Sequence, residues 1–168
     1  MSEASKAEIW YPLSQGRCDV QGRIDEGDIE VIDADQVAGV RILDAAEMNL
    51  IGAYRCRETD WVGAYTLAAL TSVRALRGIF RAQGLRVPCV ADEAFLLAVV
   101  ARVQFHDGDA HINTDFGQVY PMVERVRTID EPWAEEMTQD EVKQAIQIAE
   151  RLLELAFDVA PWIPEWAK

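Results

Sequence analysis

The sequence predicts an all-α protein: about five helices in an antiparallel bundle, behind an irregular or hairpin-containing N-terminal arm. Three observations predict the bundle. From residue 34 onward, apolar residues recur mainly at three- and four-residue spacing, the period of one helix face. Asp and Thr caps and a Gly stop punctuate those stretches. Strand–helix alternation is absent, which argues against a doubly wound α/β fold. The links are short, so neighbouring helices should run antiparallel. The chain has 168 residues, of which 50% are hydrophobic and 27% charged. That is enough apolar material for one core, and it excludes collagen-like, disulfide-framework and wholly disordered classes.

Residues 1–33 are the predicted arm, 34–160 the bundle and 161–168 a tail with Pro161, Trp162, Pro164 and Trp166. Residues 1–6 should be frayed. Turn signals at Gly16, Gly22 and Gly27 separate two β-prone pieces, 8–11 and 29–32, and suggest a hairpin. A first helix over 34–56, capped by Asp33 or Asp35, carries Val37, Val40, Leu43, Met48, Ile51 and Tyr54 as its apolar stripe, with one five-residue step. A second, over 60–83, is capped by Asp60 and presents Val62, Tyr65, Ala69, Val73, Leu76 and Phe80 on one face. Gly84 ends it as a left-handed cap, and Pro88 lies just beyond.

A third helix starts near Asp92. Residues 95–101 are apolar nearly all round, so this helix is expected to be central and most buried. A polar loop leads to a fourth helix over 114–127, marked by Phe116, Val119, Tyr120, Val123 and Val126. The last helix opens on Thr138 and Glu141, the two ends of a capping box. Its stripe is Val142, Ala145, Ile146, Ala149, Leu152, Leu153, Ala156 and Phe157.

Lys and Arg total 16 against 29 Asp and Glu, a net charge of −13. Phosphate binding needs cations, so a general nucleic-acid coat is not expected. The polar N-terminus carries no signal-peptide pattern, and no apolar stretch is long enough to span a bilayer. Cys18, Cys56 and Cys89 are sparse and lack C-x-x-C spacing. They suit a reducing cytoplasm and read as core or boundary residues.

Arg74, Arg77 and Arg81 fall at i, i+3 and i+7, with Arg86 just past the helix end. The four are the candidate anion or partner-binding site, and their alternative role is to pair with the chain's own carboxylates. His106, Asp107, Asp109, His111 and Asp115 cluster within ten residues. His106, Asp109 and His111 are candidate metal ligands by donor type, but no metal motif fits: Ile112 stands where a calcium loop needs Gly, and Gln118 where it needs Glu. No metal or cofactor is expected. The alternative is a solvated loop. The acidic runs at 25–35 and 130–141 read as solvated surface or as a face for a basic partner. Trp10 and Trp133 are expected to clamp onto the bundle, and the tail tryptophans either to clamp or to enter an interface.

Three segments resemble the HEPN superfamily (higher eukaryotes and prokaryotes nucleotide-binding). Residues 42–53, ILDAAEMNLIGA, resemble its opening helix. Residues 61–84, WVGAYTLAALTSVRALRGIFRAQG, with Pro88, resemble its second helix, where small residues precede a basic stretch and a Gly stop. Residues 122–127, MVERVR, an acidic linker and then Thr138 to Phe157 resemble its closing segment. The resemblance spans about 34–160. Active ribonucleases of that family carry an Arg, four to six residues, and a His. Here Asp130, Glu131 and Pro132 follow Arg125 and Arg127, and Arg102 precedes His106 by too few residues and His111 by too many.

The resemblance therefore implies a non-catalytic member: a binding or interaction subunit of a prokaryotic defence or toxin–antitoxin type system. It implies a protein partner, nucleotidyltransferase-like or basic, nucleotide binding in some members, and dimers formed through helix faces. One alternative is a ribonuclease with a displaced His, using Arg102 with His106 or His111. Another is an acidic immunity or nucleic-acid-mimic protein that binds a basic partner.

Overall fold

The computed structural model describes residues 17–88, 93–105, 110–131 and 136–166. The expectations for residues 1–16 (Trp10 and Tyr11 included), Cys89, Asp92, the loop His106 to Asp109, and Trp133 lie outside the described residues. About three-quarters of the described residues are helical. The elements are α1 (Arg17–Asp25), β1 (Glu30–Val31), α2 (Gln36–Cys56), α3 (Trp61–Gln83), β2 (Leu85–Arg86), α4 (Glu93–Gln104), α5 (Ala110–Thr128) and α6 (Gln139–Val159).

Cap chemistry sets the boundaries. Asp35, rather than Asp33, caps α2 by accepting the Ala38 N–H at 2.8 Å. Asp60 does the same for α3 through the Gly63 N–H at 2.8 Å. Gly84 closes α3 with φ 86°, and its N–H turns back to the Arg81 and Phe80 carbonyls. A Cβ at Gly84 would also lie 2.8 Å from the Ile32 carbonyl oxygen, so glycine is required there twice over. Thr138 and Glu141 form the reciprocal capping box at the start of α6.

α3 is the centre of the bundle and touches α2, α4, α5 and α6. This corrects the expectation that the third helix is central. α3 carries small residues on several sides, and Ala64, Ala68, Thr71, Ser72, Ala75, Gly78 and Ala82 are all buried. Small side chains let neighbours approach from many directions. α4 is apolar nearly all round because it packs between α1, α3 and α5 at the bundle's edge, and Phe95 still faces outward.

α2 and α3 cross closely and antiparallel. A Cβ on Gly39 would lie 2.8 Å from the Gly78 carbonyl oxygen and 2.9 Å from the Ala82 Cβ. Farther along, the buried Thr71 hydroxyl reaches the Ala46 carbonyl at 3.2 Å, and Gly52 meets Leu67. α6 lays its whole expected stripe into the core, save the half-buried Phe157.

The arm differs from expectation. Residues 17–25 form a helix, and Val20 and Ile29 are buried in the main core. Glycine and polar residues hid α1, because packing against α4 holds it rather than local propensity. The β-prone piece at 29–32 pairs, but not as a hairpin within the arm: Glu30 faces Arg86 and Val31 faces Leu85, antiparallel, across more than fifty residues. α5 begins at Ala110, earlier than its stripe indicated.

In the tail Trp166 is buried, and its N–H donates to the Gln83 carbonyl at 2.7 Å. Trp162 is exposed. Beneath the tail's anchor, the buried Gln104 amide donates to the Gln83 side-chain oxygen at 2.9 Å. Among the described residues no helix is long and apolar enough to cross a membrane. Cys18 is exposed and Cys56 half-buried, and both are free thiols.

Candidate functional site

The arginine row folds onto carboxylates of its own chain. Arg77 grips Glu93 at the start of α4 with two nitrogens, Nε at 2.5 Å. Arg81 donates to the Asp33 carbonyl at 2.5 Å and reaches the Asp35 carboxylate at 3.4 Å. Arg86 holds Glu30 across the β1–β2 pair, Nε at 2.7 Å. Only Arg74 meets no carboxylate among the described residues; it donates to the Ala45 carbonyl at 3.3 Å. An external anion site would need at least two guanidiniums free of internal carboxylates, and this row does not provide them. It works as a set of clasps joining α3 and β2 to α2, α4 and β1.

The histidine-and-acid cluster is also divided. His111 is exposed on the first turns of α5, while Asp115, one turn on, is buried. Its carboxylate is held from α6 by Arg151, at 2.6 Å to Nε and 2.7 Å to Nη2. Those hydrogen bonds push the Arg151 pKa up, against the effect of burial. No group of three His, Cys, Asp or Glu among the described residues could hold a metal ion.

Arg102 points across α5 toward Gly117. That contact lies six residues, or about 9 Å of helix rise, from His111. Arg125 reaches Glu141 at 3.5 Å and Arg127 reaches Glu124 at 2.5 Å.

What sequence reasoning missed is the direction of α2's stripe. The residues buried by α2 are Gly39, Leu43, Ala46 and Ala53. Leu43 is fully buried, but three other large apolar residues stand outward: Val37 and Met48 are each 64% exposed and Ile51 37%. At 100° per residue, Gly39, Ala46 and Ala53 lie opposite Val37, Met48 and Ile51. Two signals could have shown this: the seven-residue recurrence of small residues, and the five-residue step from Leu43 to Met48, which turns the stripe through about 140°. On the neighbouring helix Leu70 is also exposed, level with Met48 in the antiparallel register.

Beside the C-terminal end of α2 lies an open groove of about 440 Å³, between α2 and the first turns of α6. Tyr54, Arg57, Glu58, Lys143, Gln147 and Glu150 line it. The Tyr54 hydroxyl donates to Glu150 at 3.0 Å, and the Arg57 guanidinium sits 5.5 Å above the Tyr54 ring. Burial and the adjacent Glu150 carboxylate push the Tyr54 phenol pKa up, which keeps it a neutral hydrogen-bond donor. The groove carries charges of both signs. No family model, curated protein or solved structure matches the chain.

Proposed function

We propose that the chain is a non-catalytic, HEPN-like interaction subunit of a prokaryotic defence or toxin–antitoxin type system, and that it acts by assembling with protein. The observation that carries this reading is the outward apolar row of α2. Leu43 packs inward with three small residues, whereas Val37, Met48 and Ile51 point out. A helix ordinarily buries its large apolar residues, and an outward row of them marks a face that another protein covers.

The pairing of Arg125 and Arg127 with carboxylates supports the non-catalytic part. The net charge of −13 favours a partner with a basic face and disfavours nucleic acid. The test is to purify the chain with the product of its neighbouring gene and to assay both for RNA cleavage. A stable complex without cleavage is expected. Cleavage by the chain that is lost in His106→Ala or His111→Ala would overturn the non-catalytic reading.

A further inference from the structure

We infer that a cavity at the first turn of α3 receives an arginine side chain from a basic segment of a partner protein. The inference rests on the basic partner of the reading above, and it gives that partner a point of attachment other than the outward row of α2. An open cavity of about 660 Å³ lies where the α2–α3 turn meets Ile129, just past α5, and Glu136 and Met137, just before α6. Its apolar surface is formed by Val62, Ile129 and Met137, with the Trp61 indole beside them. Trp61 is 42% exposed and Val62 43%. Both stand on the first turn of α3, at the opposite end of that helix from Arg77 and Arg81. The Trp61 ring stacks on no other ring or cation among the described residues. Glu58, Asp60 and Glu136 supply the charge, and no Lys or Arg among the described residues lines the cavity. Asp60 commits one carboxylate oxygen to the Gly63 N–H. Glu58 keeps a loose contact with Arg57, 3.3 Å between exposed groups. Glu136 makes no ion pair or hydrogen bond among the described residues.

Each part selects the same ligand. An exposed indole face attracts a cation, and a planar guanidinium stacks on it where an ammonium cannot. The aliphatic stem of an arginine can lie on Val62, Ile129 and Met137 while its charged head stays at the rim. Carboxylates take a guanidinium through paired N–H donors, a geometry that lysine lacks. The same carboxylates repel a phosphate. A bare metal ion is a poor fit, since no three His, Cys, Asp or Glu among the described residues are grouped to hold one. The surroundings add to the charge. Asp130 and Glu131 follow α5, and Asp140 lies in the first turn of α6. The two arginines in the last turn of α5, Arg125 and Arg127, are already engaged by Glu141 and Glu124. This end of the bundle should therefore draw in a basic segment, over a distance that shortens as salt rises.

Fluorescence anisotropy of a labelled, end-capped peptide of alternating glycine and arginine, titrated with the full chain, tests the inference. Peptides with lysine or citrulline in place of arginine are the controls, and circular dichroism confirms that each variant folds. The arginine peptide should bind more tightly than the lysine one and lose affinity as salt rises. The citrulline peptide, which keeps the shape without the charge, should not bind. Trp61→Ala should weaken the arginine peptide by roughly tenfold, and Glu136→Gln by about threefold. Glu154→Gln removes an exposed carboxylate far along α6 from the cavity and should change nothing. An arginine peptide that fails to bind at millimolar concentration, or binds no tighter than the lysine one, would overturn the site. So would binding that Trp61→Ala leaves untouched or that Glu154→Gln weakens as much as Glu136→Gln does, since net charge alone would then account for it. The complex with the neighbouring gene's product separates this failure from that of the reading above. If that complex survives Trp61→Ala and Glu136→Gln but is lost in Met48→Glu, the arginine site is wrong and the interaction reading stands. If no complex forms and no peptide binds, both fall.

Discussion

Replacing Arg151 with methionine removes the guanidinium from Asp115 while keeping the long stem in place. Asp115 sits on α5 with its side chain 4% exposed and takes two hydrogen bonds from Arg151, whose own side chain is 43% exposed. Stripping one member from a fully buried ion pair costs about 3–5 kcal/mol, because a bare charge is left in the interior. Here the arginine reaches water, which screens its share, so about 2–3 kcal/mol is the expected loss. At roughly 2–4 °C per kcal/mol for a chain of this size, the melting temperature should fall by several degrees.

The partner substitution behaves differently. Asp115→Asn leaves a guanidinium that can turn to solvent, and about 1 kcal/mol is expected. The combined variant buries no charge. Adding Asp115→Asn to Arg151→Met should therefore stabilise the protein relative to Arg151→Met alone. Urea unfolding followed by helical circular dichroism at neutral pH measures all three. If Arg151→Met costs less than about 0.5 kcal/mol, or if the second substitution destabilises further, the pair does not hold α5 to α6 as argued.

Three further outcomes follow from the same geometry. Gly39→Ala should cost about 1–3 kcal/mol in a denaturation experiment, because its Cβ would press on a backbone carbonyl and on another Cβ, neither of which can swing away. For Glu141, burial pushes the carboxyl pKa up, but hydrogen bonds from Thr138 and the Arg125 charge more than offset this and hold it below its usual value. A lowered folded pKa contributes stability above the unfolded value of about 4.3 that is lost as pH falls through the folded value; the stability gap between wild type and Glu141→Gln should therefore be full at pH 6 and shrink as the pH drops below about 4. Arg77→Glu places like charges at the Glu93 contact and should lower the melting temperature modestly, by the equivalent of about 1 kcal/mol, while leaving assembly through α2 intact.

The parts legible in the sequence are those set by local chemistry. Asp60, Gly84 and the Thr138–Glu141 box each act within one turn of their own position, so the ends of α3 and the start of α6 could be read directly. The α6 stripe was equally plain, because one helix face meets one core. α1 could not be read, because Val20 is buried by α4, far away in sequence.

Periodicity also gives a stripe without saying which way it faces. On α2, Gly39 points inward because α3 approaches too closely there for a side chain, and Leu43 fits inward only where Gly78 of the other helix makes room for it. The arginine row illustrates the same limit. Its spacing was visible, but Glu30, Asp35 and Glu93, which engage it, come together only in the folded chain. The non-local cause that hid α2's direction is also what leaves Met48 and Ile51 without cover in a single chain.

The most direct measurement of that cover is the oxidation rate of individual methionines by peroxide, read by mass spectrometry in the dilute chain and in its assembled form. Met48 is 64% exposed, whereas Met122 and Met137 are buried and serve as internal references. Protein covering the outward face of α2 predicts that Met48 oxidises fast in the dilute chain and slows toward the pace of Met122 and Met137 on assembly. A Met48 that oxidises equally fast in the dilute and the assembled protein would contradict it.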